Sequence, residues 1–76
     1  MQINIHFNFP EDKSKGIIHV RPDFTVGDIH ALLFITFGYP SKKTRLYFNN
    51  IHLMCDQTLR ELCITENDYL IVEPNY

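Results

Sequence analysis

The sequence predicts an α+β fold in which one helix packs across a mixed four- to five-stranded sheet. Three observations carry this expectation. Met1, Ile3, Ile5, Phe7 and Phe9 alternate with polar residues, Val26, Ile29 and Leu33 recur at helical spacing, and short strand-like runs separated by turn residues fill the second half.

The alternation at the start has the period of a strand with one buried face and one wet face, and Pro10 ends it. Glu11-Asp12-Lys13-Ser14-Lys15-Gly16 is polar and turn-forming, with Gly16 the residue expected to take a positive φ. Ile17-Ile18-His19-Val20 follows at hairpin distance as a second short strand. Pro22 then restricts the backbone, Thr25 is placed to cap a helix, and Asp28 offers a further acceptor to its first turn. The helix spans about 25 to 37 and stops at Gly38, with Pro40 just beyond. Arg45-Leu46-Tyr47-Phe48 reads as a third strand, and Asn49-Asn50 as a tight turn into Ile51-His52-Leu53. Residues 56 to 63 have room only for a loop with a short helical or 3₁₀ piece starting near Thr58. Asn67-Asp68 turns the chain into a last strand, Tyr69-Leu70-Ile71-Val72.

Seventy-six residues make a single domain, because a chain this small buries only about 60% of its unfolded surface and has no material for a second core. The net charge of −2 and the scattered basic residues argue against nucleic acid as a partner. The one cluster, Lys42, Lys43 and Arg45, reads as a solvated turn. No apolar run approaches the roughly 17–25 residues that span a bilayer, so no membrane partner is expected. Without the pattern of a signal peptide, the expected setting is intracellular, cytoplasmic or nuclear.

Cys55 and Cys63 match no short metal-binding spacing and read as reduced structural thiols filling apolar space, with a disulfide between them as the alternative. His6, His19, His30 and His52 form no ligand pattern, and no glycine loop for nucleotides is present. No catalytic residue, cofactor or metal is expected, and the chain reads as a non-enzyme.

The chain resembles ubiquitin over nearly its whole length once a short insertion in the first hairpin is allowed for. The resemblance rests on Met1-Gln2-Ile3, on Val20, Pro22, Thr25, Val26, Ile29, Ala31 and Leu33, and on Gly38 and Pro40. It continues through Arg45-Leu46, Phe48, Leu53, Thr58-Leu59, Ile64, Leu70 and Val72. It implies a ubiquitin-like β-grasp fold and a role in binding protein partners. Conjugated relatives end in a flexible Gly-Gly tail, whereas this sequence ends Val72-Glu73-Pro74-Asn75-Tyr76, and Ile51 stands at the position of the family's best-known linkage lysine. The resemblance therefore implies a non-conjugated member, either a small stand-alone relative or the N-terminal domain of a longer protein. A conjugatable precursor is the remote alternative.

The family's recognition patch maps to Tyr47, Ile71 and Glu73, with Phe9 nearby at the altered hairpin, a surface reshaped by the charge at Glu73. Independently, helical phase puts Phe34 and Ile35 away from the inward stripe. Each would contribute about 1.5–3 kcal/mol if buried. Either they form an interface, or the helix turns to pack them against Phe37, Tyr39 or the hairpin. The expected function is thus a ubiquitin-like adaptor that recruits or positions a protein. The alternative is self-association, as a homo-oligomer or against another domain of a parent chain, through the apolar helix surface.

Overall fold

The computed structural model describes residues 2–11 and 13–74, with only the backbone of Pro74 described. The readings attached to Met1, Asp12, Asn75 and Tyr76 lie outside those residues.

Strand β1, Ile3–Phe9, buries Ile3, Ile5, Phe7 and Phe9 and leaves Asn4, His6 and Asn8 part-exposed, as its alternation requires. It pairs antiparallel with β2, Ser14–Val20, in the register Ile3↔Val20 to Phe9↔Ser14. The second strand is thus longer than its apolar run. Ser14, Lys15 and Gly16 complete the hairpin ladder, and the expected role of Gly16 is corrected. Among the described residues Gly38 is the only glycine with a positive φ, while Lys13 takes φ 53° at the hairpin turn. Gly16 serves by being small, since a β-carbon there would lie 2.6 Å from Phe37 Cζ.

Helix α1, Val26–Phe37, begins as its residues dictate. Asp28 N–H donates to Thr25 Oγ1 at 3.2 Å, and Thr25 N–H donates to Asp28 Oδ2 at 3.0 Å, a reciprocal capping box. Two further first-turn donors are taken by the neighbouring loop, Val26 N–H by the carbonyl of Gln57 (2.8 Å) and Gly27 N–H by that of Cys55 (3.0 Å). At the other end Gly38 is left-handed, φ 81°, and its N–H closes on the Phe34 carbonyl. A single 3₁₀ turn, Ser41–Lys43, follows.

Strands β3, Thr44–Phe48, and β4, Ile51–His52, are joined by Asn49 and Asn50 at φ 52° and 66°. Two successive positive φ values match the twist of a hairpin, and asparagine tolerates them. Strand β5, Tyr69–Pro74, lies parallel to β1 and antiparallel to β3, giving the five-stranded order β2-β1-β5-β3-β4. No helix forms over 56 to 63. A single turn forms there, with Glu61 N–H to Thr58 Oγ1 and Thr58 N–H to Glu61 Oε1, both 3.0 Å, and Leu62 N–H on the Thr58 carbonyl at 3.1 Å, and Cys63 at φ 59° ends it.

Val26, Ile29 and Leu33 have no exposed surface, and they meet Ile3, Ile5, Leu46, Leu70 and Val72 in one core. The helix therefore closes over one face of the sheet, and among the described residues no element covers the opposite face.

Candidate protein-interaction surface

The period of two along each strand sends every second side chain to the uncovered face, and the register decides which of them meet. His6 lies opposite Ile17 on one side and Tyr69 on the other. One step along, Asn8 lies beside Ile71, Ile71 beside Tyr47, and Tyr47 beside His52. Glu73 is opposite Arg45 at the far end. Two rows thus cross the sheet, carrying aliphatic and aromatic groups next to hydrogen-bonding ones.

The rows are organised by ring contacts. The His6 ring stacks on Tyr69 with centroids 4.6 Å apart, and its Nε2 lies 3.2 Å from Asn67 Oδ1. Tyr47 meets His52 at 5.5 Å. Ile17 and Tyr69 are about half exposed, at 55% and 49%, and Tyr47 and Ile71 are half-buried. Large side chains held by neighbours lose little freedom when a partner covers them, which favours recognition.

Of the residues expected at this surface, Tyr47 and Ile71 are direct neighbours across β3 and β5, and Glu73 is exposed at its margin. Phe9 is a correction. It is only 3% exposed, points to the core side with Phe7, and stacks on Tyr39 at 5.0 Å while touching Phe37. Its parity with Ile3 and Ile5 already placed it inward. Sequence reasoning missed His6, Ile17 and Tyr69, although the alternation that buries Ile5 and Phe7 turns His6 outward.

Phe34 and Ile35 sit on the other side of the molecule, 58% and 78% exposed. Phe37 and Tyr39 pack on Phe9 instead, so the helix does not rotate to bury either residue. The sheet face and this helix face are therefore separate surfaces. Cys55 and Cys63 are both free, and both are exposed rather than filling the core.

Among the described residues one histidine of the helix itself is buried. His30 is 5% exposed, and burial, followed by the influence of His52, holds its pKa below the ordinary histidine value. On the surface, hydrogen bonds from the backbone N–H and hydroxyl of Thr58 keep Glu61 below the usual carboxylate range. Among the described residues no group of three or more His, Cys, Asp or Glu is arranged to hold a metal ion, and no helix is long and apolar enough to cross a membrane.

A mixed sheet grasping one helix, with no element over its other face among the described residues, is the ubiquitin-like β-grasp fold, and the chain has it. Among solved structures it is similar to the ubiquitin-like domain of Arabidopsis thaliana protein At2g32350, with TM-score 0.90 and 25% identity over 99% of this chain and 79% of that one. It is similar too to the UBL domain of Plasmodium falciparum Dsk2, with TM-score 0.91 and 19% identity over 97% and 99% of the two chains. ATBAG1, in a complex with HSP70, shares the fold at TM-score 0.88 and 11% identity, covering 96% of this chain and 40% of that one. No protein-family model matches the sequence, and no curated protein matches it.

Proposed function

We propose that this chain is a non-catalytic interaction module that recruits or positions a protein partner through the uncovered face of its sheet. The observation that carries this reading is the direct pairing of Tyr47 with Ile71, continued through Asn8 and flanked by the stacked His6–Tyr69 pair and Ile17. A surface of this kind offers apolar area with hydrogen-bonding tips, the composition of a recognition patch.

The setting we infer is ubiquitin-related regulation inside the cell, in cytoplasm or nucleus, with the chain acting as an adaptor, either alone or as a domain of a longer protein. The ubiquitin-like domains of the similar structures support that context, and the ATBAG1–HSP70 complex supports a protein as the partner class.

The exposure of Phe34 and Ile35 favours a second reading, self-association or contact with another domain through the helix. Affinity capture with the folded chain separates the two. Tyr47→Ala with Ile71→Ala should abolish retention of the partner, and Phe34→Ser with Ile35→Ser should leave it intact. The reverse pattern overturns the sheet-face reading.

A further inference from the structure

An open groove of about 590 Å³ runs between α1 and the 3₁₀ turn that follows it. Ala31 and Phe34 form an apolar wall, and Pro40, Lys42 and Lys43 line the other side. His30 also lines the groove. Its Nδ1 is buried with no hydrogen-bond partner among the described residues.

Charge selects the occupant. Lys42 and Lys43 make no ion pair among the described residues, and no acidic side chain lines the groove. Asp28, on the same helix, turns its carboxylate to Thr25 N–H and is not one of the groove's lining residues. The result is a local positive rim on a chain whose net charge is −2. A two-fold dimer through this groove would bring two copies of the same positive rim together, which disfavours a homodimer here. Two lysines beside a single phenylalanine are also a thin footprint for a nucleic-acid backbone.

We propose that this groove docks a short acidic segment of another protein, with a bulky apolar side chain against Ala31 and Phe34 and flanking carboxylates on Lys42 and Lys43. The site stands apart from the sheet face and does not depend on the role assigned there.

A blocked synthetic peptide with two central leucines between aspartates, titrated into the isotope-labelled chain and followed by NMR, tests the proposal. Saturable shifts are expected at Ala31, Phe34, Lys42, Lys43 and the His30 ring. Lys42→Glu with Lys43→Glu should weaken binding at least tenfold, and so should replacing the peptide's leucines by serine or its aspartates by lysine. Unchanged core methyl signals in the variant would show that it still folds, and Tyr47→Ala with Ile71→Ala should bind the peptide as the unaltered chain does. Three results would each overturn the proposal: no saturable binding at millimolar peptide, equal binding by the glutamate variant, or shifts confined to the sheet face. A concentration-dependent dimer dissolved by Phe34→Ser would overturn it in favour of a second copy.

Discussion

Gly16 lies directly beneath the ring of Phe37, so close that a β-carbon at 16 would stand 2.6 Å from Cζ and 3.2 Å from Phe9 Cε2. The contact ties the second strand to the end of the helix, and the two sites can be tested against each other. Gly16→Ala should destabilise the chain by about 1–2 kcal/mol, because Phe37 must swing away and loosen its contact with Phe9. In a Phe37→Ala background the same change should become neutral or stabilising, since alanine lowers the entropy of the unfolded chain. Denaturant midpoints of the four proteins in this cycle give the coupling. Equal effects of Gly16→Ala in both backgrounds would refute the steric account.

The capping box predicts a second cost. Thr25→Ala removes the acceptor for Asp28 N–H and should lower stability by about 1 kcal/mol, while Thr25→Ser, which keeps the hydroxyl, should recover most of it. Thermal or urea unfolding of the pair measures the difference.

Acid should weaken the fold through His30. Its folded pKa lies below the unfolded one, so below about pH 6.5 the unfolded chain binds more protons. Stability is therefore full above that pH and falls as the pH drops toward the folded pKa. The urea midpoint of the unaltered chain should decline over this window, and His30→Leu should flatten the decline. A profile unchanged by the substitution would show that His30 does not set it.

Most of the fold was legible because its signals are local. The alternation through Phe9, the Thr25–Asp28 start, the Gly38 stop and the Asn49-Asn50 turn each need only a few neighbouring residues to be read. What escaped depends on distant pairing. Gly16 was read as a turn residue because the helix end that crowds it is far along the chain. Residues 56 to 63 were expected as a loop with a short helical or 3₁₀ piece; one turn forms after Thr58 and Cys63 at φ 59° ends it before a helix can extend.

The surface was harder to read for the same reason. Tyr47 and Ile71 were expected on one surface and do pair across β3 and β5, but their neighbours His6, Ile17 and Tyr69 are collected by the register of β2, β1 and β5, including a parallel pairing between the two ends of the chain. Phe9 was misassigned by its nearness in sequence to the altered hairpin, although its strand parity points it inward.

Isoleucines report on each region separately. Ile17 and Ile71 lie on the uncovered sheet face, Ile35 on the helix face, and Ile5 and Ile29 in the core. The most direct measurement is a methyl NMR spectrum of the isoleucine-labelled chain, recorded with and without the partner recovered by capture. Binding through the sheet should shift or broaden Ile17 and Ile71 and leave Ile35, Ile5 and Ile29 in place. A change at Ile35 with Ile17 and Ile71 untouched would contradict the account.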